Sequence, residues 1–138
     1  MGWRVQAEFD ADERSVPDAR SLVASTLRSW HVSELEASAC LLATELATNA
    51  VVHARTPYRI TLELGPPNLR VLVADGSRAL PSRRPPDSSA VTGRGLSIVE
   101  ALALDWGARH AGDGKVVWFD LATGPGDSVS ADRLTQMV

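Results

Sequence analysis

The stretch "ELATNAVVHA" (residues 45–54) decides how the chain is read. It has the composition of a helix, yet Glu45, Asn49 and His53 recur four residues apart among small and aliphatic neighbours. In a helix that spacing places the polar groups on one face. Asn is a poor helix former, and a polar group near a core needs a partner. An amide oxygen and a carboxylate one turn apart can organise a hard cation and a water, because Mg²⁺ takes oxygen ligands, keeps several waters and is commonly shared with substrate phosphates. In such a site Glu45 could serve as general base toward a water or a hydroxyl. A simply solvated helix face would carry the same three residues.

Working outward, Ser33 and Glu36 have the spacing of a capping box, so the periodic run is predicted to be one helix from Leu35 to about His53, ended by Pro57. Before it, helical spacing from Pro17 to Trp30 predicts another helix, and "WRVQAEF" (3–9) alternates as a strand. After it, "YRITLEL" (58–64) and "LRVLVAD" (69–75) flank Gly65, Pro66 and Pro67 and read as an antiparallel hairpin. Residues 76–95 hold Pro81, Pro85, Pro86 and several Ser and Arg, a composition fitting a lid or binding loop. "LSIVEALA" (96–103) reads as a short helix, and "DWGARH" (105–110) with "KVVWFDL" (115–121) as two strands joined through Gly112, Asp113 and Gly114. Helices segregated from strands predict an α+β fold: a two-layer sandwich with a mixed, mostly antiparallel sheet and helices on one face.

The bulk properties bound the function. A chain of 138 residues is expected to form a single domain over 1–138. With 44% hydrophobic and 22% charged residues it has globular composition. A net charge of −3 argues against a nucleic-acid-coating surface. Cys40 is the single cysteine and sits in an apolar run, which fits a core residue. No signal-like leader and no run of about 18 apolar residues is evident, so a cytoplasmic protein without a membrane span is expected.

Two further pieces carry chemistry. Asp75 ends an apolar strand before Gly76 and Ser77. Asp-Gly is a common turn dipeptide, but a carboxylate there can also accept a hydrogen bond from an exocyclic amine such as that of adenine. "TGRGL" (92–96) places Gly93 and Gly95 before a predicted helix, where the backbone can approach an anion closely and helix N–H groups favour phosphate. Arg94, with Arg83 and Arg84, could add charge. A loop with flexible glycines would look similar.

In this order the pieces resemble the GHKL ATP-binding fold, also called the Bergerat or histidine-kinase-like ATPase fold. "ELATNAVVHA" is similar to its N-box, "VADGS" (73–77) to its adenine-binding box, and "GRGL" (93–96) to its second glycine box. The resemblance covers roughly Val5 to Leu121 and is nearest to the anti-sigma-factor serine kinases of the RsbW/SpoIIAB type. It implies ATP and Mg²⁺ as cofactors, with Asn49 on the metal and Glu45 as catalytic base. Asp75 would receive the adenine amino group, helped by Gly76 and Ser77. Thr92, Gly93, Arg94, Gly95 and Leu96 would close over the phosphates, and His53 would be structural. It further implies a serine/threonine kinase acting on an anti-sigma factor antagonist, a sigma factor as the other protein partner, and homodimerisation. A non-catalytic ATP-binding or protein-binding module of the same fold is the alternative. Two departures stand out. Gly76 adjoins Asp75 where the family usually has Asp-x-Gly, leaving Ser77 at the expected glycine, and Lys115 follows Gly114 near a position where the family often has a threonine that supports adenine binding.

Overall fold

A computed structural model describes residues 2–79 and 102–123. The elements are β1 (Trp3–Phe9), α1 (Ser15–Ser29), a 3₁₀ turn (Ser33–Leu35), α2 (Glu36–Asn49), a π-helical turn (Ala50–Ala54), β2 (Tyr58–Gly65), β3 (Asn68–Asp75), β4 (Asp105–Ala111) and β5 (Gly114–Ala122). The five strands form one sheet in the order β1-β2-β3-β5-β4, and every neighbouring pair is antiparallel. This is the α+β architecture expected from the sequence. Most of the predicted helix over 96–103 and most of the predicted loop lie outside the described residues.

Strand alternation divides the sheet into two faces. Ile60, Leu62, Leu69, Val71, Val117, Phe119 and Leu121 join Val23 and Leu27 of α1 and Leu42 and Leu46 of α2 in one buried cluster. Ala39, Ala43 and Ala47 recur every four residues along α2 and are fully buried, so this stripe lets the helix lie close to its neighbours. The stretch Ser33–Ala54 has a mean hydropathy of 1.2 and is long enough to cross a bilayer. Its apolarity is used in this core, and it carries Glu34, Glu36 and Glu45. Cys40 is buried, its Sγ–H donates to the Arg20 carbonyl at 3.7 Å, and burial pushes its thiol up.

The opposite face carries polar partners. Arg70 grips Asp120 with two hydrogen bonds of 2.7 and 2.9 Å, and its guanidinium stacks 4.2 Å from the Trp118 ring centroid. Gly107 lies opposite Trp118, where any Cβ would run into the indole.

Two local expectations are corrected. Neither Ser33 nor any neighbour caps α2 through a side chain. The Glu36 carboxylate instead takes two hydrogen bonds from Arg28 of α1, at 2.9 and 2.6 Å, so a tertiary partner replaces the local box. The helix predicted to continue to His53 widens after Asn49 into the π turn, closed by the Arg55 N–H on the Ala50 carbonyl at 2.7 Å. Arg55 then turns left-handed (φ 58°), which ends the helix before Pro57.

Tyr58 ties the sheet to α1: its ring stacks on Phe9 with centroids 5.5 Å apart, and its hydroxyl is 2.8 Å from Ser15 Oγ. Burial pushes the phenol up, with the Ser15 hydrogen bond acting the other way. A raised folded-state pKa leaves the stability intact below the ordinary phenol value of about 10 and erodes it as pH rises through the folded one. Tyr58→Phe is therefore expected to cost about 1 kcal/mol at neutral pH, with the deficit shrinking in alkali. Urea unfolding across that range checks it, and a deficit independent of pH would refute the titration role.

Candidate functional site

Helix α2 carries its chemistry on a flank of the core-facing stripe. Glu45 and Asn49 are half-buried and one turn apart, so their side chains are neighbours. Glu45 Oε1 and Asn49 Oδ1 are buried and find no hydrogen-bond partner among the described residues. An unsatisfied buried polar atom costs about 1–3 kcal/mol, so two side by side are a strain that packing alone does not explain. Thr44 Oγ1 is also unpartnered. It lies about 100° around the helix from Glu45, on the side of Cys40, and does not join the pair. The π turn begins at the residue after Asn49, and such turns are frequent at functional sites. His53 lies within that turn and is exposed, so it is not gathered with the other two.

Two hard oxygen donors without partners among the described residues fit a divalent cation. Among the described residues no three His, Cys, Asp or Glu side chains gather to hold a metal. A cation at Asn49 would therefore rely on waters and on its ligand's own oxygens, a coordination that suits Mg²⁺.

Asp75 stands at the end of β3, on the inner face with Val71 and Val73. It is not left open. Lys115, its direct partner across β5, donates from Nζ to Oδ1 at 2.9 Å and to Oδ2 at 2.8 Å. Both side chains are well buried, at 6% and 12% exposure for Asp75 and Lys115. The Ser77 N–H adds a 2.9 Å bond to Oδ1, and the Gly76 N–H donates to Thr56 Oγ1 at 2.8 Å, so residues 75–77 form a tight turn. Gly114 presses against the Asp75 carbonyl, and a Cβ there would collide with it. A concavity of about 270 Å³ at this end of the sheet is lined in part by Tyr58, Ala74, Asp75, Ala111 and Lys115.

Thr92, Gly93, Arg94, Gly95 and Leu96, with Arg83 and Arg84, lie outside the described residues. The sequence reading flagged Lys115 as a departure but missed its pairing with Asp75, and it missed Thr56. Only the β3–β5 register brings Lys115 to Asp75.

A family described as the histidine kinase-like ATPase domain matches residues 9–121. The crystal structure of the RsbU and RsbW domains of Rv1364c from Mycobacterium tuberculosis is similar in fold, with a TM-score of 0.68 at 17% identity. The similarity covers 88% of this chain and 32% of that one, so the chain spans about a third of that protein's length. No curated protein sequence matches the chain.

Removing the Asn49 amide oxygen, which has no partner among the described residues, has a stability consequence. Asn49→Ala should raise the unfolding free energy by about 1 kcal/mol without added ligand, from relief of the buried oxygen and better helix propensity. Urea denaturation tests this, and a loss of stability would show that Asn49 has a structural partner.

Proposed function

We propose, from the premise that this chain belongs to the histidine kinase-like ATPase domain family, that it binds Mg-ATP and acts as a cytoplasmic serine/threonine kinase and anti-sigma factor. Its substrate is a small anti-sigma factor antagonist, its other partner is a sigma factor, and it works as a homodimer. The observation that carries the reading is the pair of oxygens on Glu45 and Asn49 that find no partner among the described residues.

Each residue has one task. Asn49 offers its amide oxygen to the metal, and Mg²⁺ when bound supplies neutralisation of phosphate charge. Glu45 accepts the proton of the incoming serine or threonine hydroxyl as its oxygen attacks the γ-phosphorus and ADP leaves. Asp75 faces the base, supported by Gly76 and Ser77. Thr92, Gly93, Arg94, Gly95 and Leu96 hold the phosphates through backbone N–H groups and the arginine. Phosphoryl transfer needs positioning and charge neutralisation more than covalent chemistry, which suits so small a set.

A second reading has its own support: the Asp75 carboxylate is held by Lys115, which favours a regulatory module that binds nucleotide weakly and transfers nothing.

Calorimetric titration with ATP, with and without Mg²⁺, separates the two when paired with a phosphorylation assay on a candidate antagonist. Asn49→Ala should weaken magnesium-dependent binding by a factor on the order of 100. Glu45→Gln should keep that binding and slow transfer by about 10²- to 10⁴-fold. Binding without transfer in the unaltered protein would leave the module reading standing, and metal binding unchanged by Asn49→Ala would remove Asn49 from the site.

A further inference from the structure

Lys115 does more than neutralise a buried carboxylate. Its ammonium has three N–H donors, of which two are spent on Asp75 Oδ1 and Oδ2. The third makes no hydrogen bond among the described residues. On the carboxylate, Oδ1 also takes the Ser77 N–H, whereas among the described residues Oδ2 takes Lys115 alone and keeps acceptor capacity. Among the described residues the pair therefore presents one spare donor beside one spare acceptor, with no net charge.

This arrangement is built into the fold. Asp75 and Lys115 are directly opposed in the β3–β5 register, and Gly114 lets the β5 backbone close on Asp75 where a side chain would not fit. Both groups are largely shielded from water, so neither is a loose surface charge.

We propose, resting on the nucleotide reading above, that Lys115 sets the base preference of the pocket and makes it accept 6-oxo and 6-amino purines almost equally. A lone carboxylate rewards the 6-amino group of adenine and repels the 6-oxo group of guanine, because two acceptors then face each other. A site built to hydrogen-bond a group rejects an analogue lacking it. The Asp75–Lys115 pair abolishes that rejection. Adenine offers an N6–H donor beside the N1 acceptor, and guanine offers the O6 acceptor beside the N1–H donor. These edges run in opposite order, so the pair serves the 6-substituent alone: a 6-amino group donates to Asp75 Oδ2, and a 6-oxo group accepts the third N–H of Lys115. The loss of discrimination costs adenine affinity, since the acceptor it uses is shared with an ammonium.

The test is a set of calorimetric titrations of the purified chain with Mg-ATP, Mg-GTP and Mg-tripolyphosphate, on the unaltered protein and on Lys115→Thr. The unaltered protein should bind ATP and GTP within about threefold of each other, and Lys115→Thr should prefer ATP by about tenfold or more. Tripolyphosphate, which has no base, should bind both proteins alike. A tenfold preference for ATP in the unaltered protein, or an ATP/GTP ratio unmoved by Lys115→Thr, would overturn the proposal and leave the nucleotide reading intact. If neither nucleotide nor tripolyphosphate binds either protein, the nucleotide reading itself fails. Circular dichroism verifies that Lys115→Thr folds. Should it not fold, the ratio measured on the unaltered protein decides alone.

Discussion

The register between β3 and β5 is the constraint on which the rest depends. These strands are distant in sequence yet adjacent in the middle of the sheet, paired from Asn68↔Ala122 to Asp75↔Lys115. A slip of one residue would turn every side chain of a strand to the other face. Two opposite-charge pairs hold the register, Arg70↔Asp120 near one end and Asp75↔Lys115 at the other. Arg70 and Asp75 are an odd number of residues apart, so the two pairs lie on opposite faces of the sheet. A slipped pairing would break both and bury unpaired charge, which is far costlier than losing a surface contact.

Helix α2 is asked to do two things at once. Its alanine stripe and its leucines build the core, while Glu45 and Asn49 on its flank hold oxygens that nothing among the described residues satisfies. A helix optimised for packing would have replaced both. Proteins commonly keep such locally unfavourable groups where function needs them and recover the stability elsewhere. Here the recovery is visible in the fully buried Leu42 and Phe119 of the core.

Much of this was legible in the sequence. The five strands and both long helices followed from periodicity, because each has one apolar side and the same face that drives burial sets the pattern. Glu45 and Asn49 stood out as polar residues in an apolar helical run. What escaped were features decided by contacts between distant segments. Arg28 captured Glu36 and dissolved the local capping box. The widening after Asn49 depends on how the chain must turn from the helix layer into β2, which no local pattern encodes. Lys115 was legible as an odd residue, but its partner became evident only when Asp75 was found across the ladder from it.

The way β3 and β4 are joined has a polymer-physical consequence. On leaving β3 the chain is fastened at Arg78, whose guanidinium donates to the Gly112 carbonyl at 2.7 Å, beside the Lys115 end of β5. It is fastened again where the Leu104 N–H donates to the Asp120 carbonyl at 2.8 Å, near the other end of the same strand. Those two anchors are separated by about 17 Å of strand, a gap that about five extended residues could span. The sequence between them is several times longer. Since the entropy of closing a loop grows only logarithmically, doubling such a connection costs about 0.6 kcal/mol. The register of the five strands therefore places little constraint on how many residues join the two anchors, and the length of that stretch answers to the site rather than to the sheet.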